Sequence, residues 1–256
     1  MLEKFRAAQA KAIKRLKDLE AAQRLPARYD GARPSFSDAL LAAGPIAVIA
    51  EYKRASPSAG DINLGLDPGE VAAMYAASGA AAISVLTEET YFKGSVDYLE
   101  PISAVGLPML RKDFLLHPLQ VVETAATKAS ALLLIVRMLT DAELDEMLRL
   151  TYDAGLEAVV EVFDEADLAR AESAGAHIIQ VNSRDLDTLA TNLDVARRMA
   201  ALKRPGRIWI AASGIASRAD VLGMAAIGYN AVLVGTSIMR EPDPGQALTA
   251  LAGKAD

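Results

Sequence analysis

Five side chains of this sequence could act together as acids and bases: Glu51, Lys53, Lys112, Glu161 and Asn182. Each stands at or just past the end of a short apolar run. Ile49, Glu51 and Lys53 fall two apart, so an extended chain presents them on one face. Further runs end in Leu110-Arg111-Lys112-Asp113-Phe114, in Val159-Val160-Glu161 and in Gln180-Val181-Asn182-Ser183-Arg184. Two carboxylates and two ammoniums around one cavity keep each other ionised. Such a set can donate and accept protons in successive steps, while the amide orients a substrate. Buried charge is costly, so five such groups at one mouth read as chemistry rather than as a salt-bridged rim.

The elements that must position them are eight Val-, Ile- and Leu-rich runs, at 45–50, 81–86, 108–110, 131–136, 158–162, 178–181, 208–211 and 231–234. Runs apolar on both faces suit buried parallel strands. Helical patterns lie between them, at 141–153, 165–173 and 218–226; the first places Leu144, Met147, Leu148 and Thr151 on one face. Asp67-Pro68 and Asp243-Pro244 are helix-start signals, and Ser78-Gly79 and Ala174-Gly175 read as helix ends. Successive runs start about one βα unit apart, which predicts a (β/α)8 TIM barrel with its active site at the C-terminal ends of the strands. An open doubly wound sheet would want a Gly-rich fingerprint after the first strand, where this chain reads Glu51-Tyr52-Lys53-Arg54. Residues 1–45 read as an amphipathic helix and a Pro-containing lead-in packed on the barrel, so that 1–256 form one domain.

Ser213-Gly214 after the seventh run and Gly235-Thr236-Ser237 after the eighth would expose backbone N–H groups where barrels bind phosphate. Residues 56–60, Ser-Pro-Ser-Ala-Gly, read either as a mobile loop over the site, with Ser56 and Lys53 adding phosphate contacts, or as a plain surface turn. His177, at the start of a strand, reads as structural, and His117-Pro118 as a helix start. Trp209 should pack outward under the helices.

Composition narrows the classes. The chain has 256 residues, 52 % hydrophobic and 23 % charged, which is globular composition. It has no Cys and 2 His, which excludes disulfides, thiolate sites and His-rich metal centres. A net charge of −6 argues against a nucleic-acid partner. Residues 1–20 carry charges throughout and lack the apolar core of an export signal, and the longest apolar stretches are too short to span a bilayer. The expectation is a soluble cytoplasmic protein, a monomer or weak homo-oligomer, with a small anionic substrate and no metal.

Several motifs in the right order make the resemblance to one family specific. The chain resembles indole-3-glycerol-phosphate synthase through residues 49–58, 84–88, 91–95, 110–114, 182–186 and 233–240. The resemblance implies conversion of 1-(2-carboxyphenylamino)-1-deoxyribulose 5-phosphate to indole-3-glycerol phosphate, with loss of CO2 and water and with no metal or organic cofactor. It implies that Lys112 is the general acid that protonates the substrate carbonyl, and that Glu161 and Glu51 manage later proton transfers. Lys53 stands near the substrate anions, and Asn182 orients the substrate. Ser56, Ser213, Gly214, Gly235, Thr236 and Arg184 hold phosphate. Phe92, Phe114 and Leu133 wall the anilino ring, and Gln180, Ala212 and Leu233 complete the pocket wall.

The chain departs from the family at some positions. Ala212 stands where the family has Glu, and Gln180 where it has Gly. Lys128-Ala129-Ser130 replaces Gly-Ala-Asp, and Phe163 replaces the His of bacterial members. Two other readings use the same residues. One is an altered or engineered barrel in which Glu51 or Glu161 abstracts a proton from a small apolar substrate, as in a Kemp-type elimination. The other is a barrel that only binds sugar phosphates.

Overall fold

Eight parallel strands close on themselves, each bonded to the next in sequence and the last to the first. In the computed structural model, which describes residues 2–185 and 188–253, they are β1 (Ala47–Tyr52), β2 (Ala82–Leu86), β3 (Met109–Lys112), β4 (Ala131–Ile135), β5 (Glu157–Val162), β6 (Ile178–Asn182), β7 (Ile208–Ala212) and β8 (Ala231–Val234). The barrel predicted from the apolar runs is the barrel observed. Four strands outlast their apolar runs: β1 reaches Tyr52, β3 Lys112, β6 Asn182 and β7 Ala212. The backbone ladder continues past the apolar run because the neighbouring strand still supplies partners, as in the pairs Tyr52 with Val85, Lys112 with Leu86 and Asn182 with Ala212.

Strand alternation divides the core in two. Ala47, Ile49, Leu110, Leu133, Val159, Ile178, Ile210 and Leu233 fill the barrel interior. Their neighbours Val48, Ala50, Leu132, Leu134, Val160, Ile179 and Val232 pack outward against the helices. Trp209 belongs to this outer layer, edge-on to Tyr229 at 6.4 Å.

The helices are α1 (Leu2–Ala21), α2 (Phe36–Ala42), α3 (Pro68–Ala77), α4 (Leu99–Ile102), α5 (Pro118–Ala125), α6 (Asp141–Asp153), α7 (Glu165–Ser173), α8 (Asp194–Ala200), α9 (Arg218–Ala226), α10 (Thr236–Met239) and α11 (Pro244–Ala252). Asp67 and Asp243 cap α3 and α11 ahead of a first-turn Pro, each cap contributing about 1 kcal/mol. His117 caps α5, its Nδ1 accepting from the Leu119 N–H at 3.2 Å.

The two ends of the barrel are closed differently. At the N-terminal end α2 inserts Phe36 and Leu40 among the interior residues, and its first N–H groups, on Phe36 and Ser37, donate to Glu157. At the C-terminal end α1 lies across the mouth. Arg6 donates to the Met138 carbonyl at 2.6 Å, Gln9 donates to Asp113 Oδ1 at 2.8 Å, and Arg15 pairs with Glu123.

Candidate active site

The charged residues at the strand ends converge on one cleft at the C-terminal mouth. Glu51, Lys53, Lys112, Glu161, Asn182, Ser56, Arg184, Ser213, Gly214, Gly235, Thr236, Phe92, Phe114, Leu133, Ala212 and Leu233 all line it. Gln180 is the correction. It points into the barrel, as parity predicts, but it is fully buried beside Glu161, level with it in the β5–β6 register, and donates to that carboxylate instead of lining the cleft. Leu186, the last residue of the 182–186 motif, lies outside the described residues.

Glu51 is the electrostatic centre. Its carboxylate is buried and holds Lys53 Nζ at 2.6 Å, with Lys112 Nζ at 3.7 Å and the Ser84 hydroxyl donating at 3.2 Å. Burial pushes the Glu51 carboxyl up, but the two ammoniums outweigh it and hold the group below the usual carboxylate range. The lysines diverge. Burial and the neighbouring Lys112 charge depress Lys53, with Glu51 only partly offsetting them. For Lys112 burial also acts downward, but Glu51 and Glu161 together raise it. Lys53 therefore gives up a proton more readily than Lys112.

Glu161 enters the cleft from β5, and Gln180 Nε2 donates to its Oε2 at 2.5 Å. Asn182 is steadied from its own loop, where its Oδ1 accepts the Arg184 N–H at 3.0 Å. Arg184 donates to the Leu189 carbonyl at 2.6 Å. Ser213 and Gly214 both take positive φ, 67° and 85°. That conformation strains Ser213 and belongs to a tight turn of exposed backbone. The Ser56 hydroxyl accepts the Ala59 N–H at 3.1 Å, which shapes the 56–60 loop as a short ribbon turn.

One wall is aromatic. Phe5 of α1 stacks on Phe114 with centroids 4.0 Å apart and planes 12° apart, and Phe92 lies 6.0 Å from Phe114. The backbone around Tyr91 and Phe92 is held by buried Glu88, whose carboxylate accepts from the N–H groups of Thr90, Tyr91 and Phe92. Phe163 also lines the cleft, with the Arg137 guanidinium 4.7 Å from its ring centre. Ala212 lies opposite Asn182 in the β6–β7 register. Lys128 pairs with Glu100 at 2.6 Å, away from the cleft.

Sequence reasoning missed Leu2 and Phe5, which reach the cleft from α1. Phe5 is the one aromatic residue of the amphipathic α1, a signal that could have been followed. It also missed what holds β3. Arg111 is buried on the outer face, donating to Glu123 at 2.8 Å and to Thr124 Oγ1 at 3.0 Å, and it immediately precedes the site residue Lys112 in sequence.

The sequence pattern of the family described as Indole-3-glycerol phosphate synthase matches residues 2–251. The chain belongs to the indole-3-glycerol phosphate synthase family. The protein of that name from Carboxydothermus hydrogenoformans is 48 % identical over 222 residues, covering 85 % of this chain and 84 % of the relative. The one from Mycolicibacterium gilvum is 43 % identical and covers 98 % of this chain and 92 % of its own length. Among solved structures, 3-hexulose-6-phosphate synthase from Salmonella typhimurium superposes with a TM-score of 0.64 at 17 % identity, over 81 % of this chain and 97 % of that one. That likeness is one of fold. Family membership accounts for the motifs at the strand ends, which are where the cleft is built.

Proposed function

We propose that this family member closes the indole ring of 1-(2-carboxyphenylamino)-1-deoxyribulose 5-phosphate, releasing CO2 and water, as a step of tryptophan biosynthesis. The observation that carries the reading is the paired set of two ammoniums and two carboxylates facing an aromatic wall and a small-residue turn in one cleft. The substrate offers a matching set: an aryl ring, a carboxylate, a ketone and a phosphate.

On this reading Phe5, Phe92, Phe114 and Leu133 hold the anilino ring, and Ser213, Gly214, Gly235 and Thr236 take the phosphate with Arg184 and Ser56. The ring carbon bearing the carboxylate attacks the ketone, and a new C–C bond forms. The ketone oxygen takes a proton from Lys112, whose ammonium the two carboxylates sustain. Departure of CO2 leaves its bonding electrons in the ring. The new hydroxyl then leaves as water, which needs a second proton. Lys53, with its lowered proton affinity, suits that donation. Glu161 takes the proton lost as the double bond forms, and Asn182 orients the substrate. Glu51 keeps both lysines in register. The sequence reading assigned the acid role to Lys112 alone; the opposite displacement of the two lysines supports a division between them.

The test is the appearance of indole fluorescence on mixing protein with that substrate. Steady turnover is expected, with loss of at least about a hundredfold in Lys112→Ala and in Glu161→Gln. Turnover surviving either change would overturn that residue's role. No turnover, with sugar-phosphate binding retained in calorimetry, would point to a barrel that only binds. No observation favours the proton-abstraction or binding-only readings over the synthase. On the same reading the enzyme works in the cytoplasm as a monomer or weak homo-oligomer.

A further inference from the structure

Beside Glu161, behind the cleft lining, lies an amide that the reaction as described does not use. Gln180 on β6 is fully buried and stands directly opposite Glu161 in the β5–β6 register. Its Nε2 donates to Glu161 Oε2 at 2.5 Å. Its own Oε1 is buried with no hydrogen-bond partner among the described residues. Space-filling does not explain this residue. A methionine would occupy nearly the same volume without leaving a buried carbonyl unsatisfied, and an orphaned buried acceptor destabilises a fold. What the amide adds over an apolar side chain is the bond to Glu161. That bond engages one carboxylate oxygen from the neighbouring strand and leaves the other for a substrate proton. A donor so placed restricts the rotamer of the carboxylate.

We propose that Gln180 is a positioning residue, holding the Glu161 carboxylate aimed into the cleft. This rests on the reading of Glu161 as a base.

Gln180→Met tests this in the full-length protein. The expected result is a kcat about tenfold lower with KM changed less than about twofold. The melting temperature should stay within a few degrees of the parent, because the lost orphan acceptor is balanced by a Glu161 oxygen left without its donor. Unchanged kcat, or a lower melting temperature with full activity, would show that Gln180 only fills space. If the Met variant does not fold, the same split between kcat and KM is read on Gln180→Leu, which also lacks the donor. Glu161→Gln run alongside separates the two failures. If it abolishes turnover while both Gln180 variants remain normal, the positioning role alone is wrong. If it leaves turnover intact, the role of Glu161 as base falls, and that of Gln180 with it.

Discussion

Gly235 meets Glu51 across the cleft floor, and the contact leaves no room for a side chain. A Cβ built there would come within 2.5 Å of Glu51 Oε1 and 3.1 Å of the Glu51 Cβ. The carboxylate could not yield without releasing Lys53 at 2.6 Å. Gly235→Ala should therefore lower kcat by about tenfold or more while the chain still folds, since only one buried side chain must shift. Steady-state kinetics with a circular-dichroism melt check both halves. Position 235 thus uses glycine for close approach rather than for an unusual backbone angle. Ser213 shows the opposite case, a side-chain-bearing residue held at positive φ beside Gly214. Both positions were legible in the sequence as small residues after the seventh and eighth strands. The contact between Gly235 and Glu51 was not, because it joins residues 235 and 51 through barrel closure.

At the scale of elements, α1 is part of the cleft and not only an appendage. Phe5 stacks on Phe114, Gln9 bridges Asp113 and Gln120 at 2.8 Å each, and Arg15 reaches Glu123. Asp113 and Glu123 in turn grip Arg111 on β3, immediately before Lys112. The helix is therefore tied to the strand that presents one of the two ammoniums. Phe5→Ala should raise KM several-fold with a smaller effect on kcat, because it removes apolar wall from the mouth and leaves the charged groups in place. A KM change confined to the phosphate, seen with a phosphate-only competitor binding more weakly, would contradict that placement. The amphipathic character of residues 1–20 marked a helix that packs on something. Its partner was not legible, because α1 finds β3 and α5 some hundred residues away through polar contacts that leave no periodic trace.

The whole molecule carries its acidic sensitivity in buried carboxylates. Glu51 is held below its ordinary value of 4.5 against the opposing effect of burial by Lys53 and Lys112, and Glu123 likewise by Arg111 and Arg15. When the folded value is the lower one, the unfolded chain binds protons first as pH falls. The stability these groups contribute is complete above about 4.5 and is lost as pH drops through their folded values. Melting temperatures taken downward from neutral pH should hold and then fall below that point. Glu51→Gln should flatten part of the fall. A profile identical to the parent in that variant would mean Glu51 contributes no linked stability. High salt should change little, because these pairs are buried and weakly screened.

The sequence by itself determined the barrel, the parity of its strands and the residue types at its mouth. Each of these follows from local rules. Apolar runs on both faces demand burial, alternation sends Glu51, Lys112, Glu161 and Asn182 inward, and Asp-Pro and Gly punctuate the helices. The resemblance carried by those same strand ends named the chemistry. The tertiary structure decided what depends on distance between parts remote in sequence. It set Lys53 and Lys112 apart in proton affinity, because each sits differently between Glu51 and Glu161. It engaged Gln180 with Glu161 behind the cleft wall, and it brought Phe5 over the mouth. Charge–charge coupling and side-chain depth are properties of the closed barrel, and a linear chain does not encode them position by position.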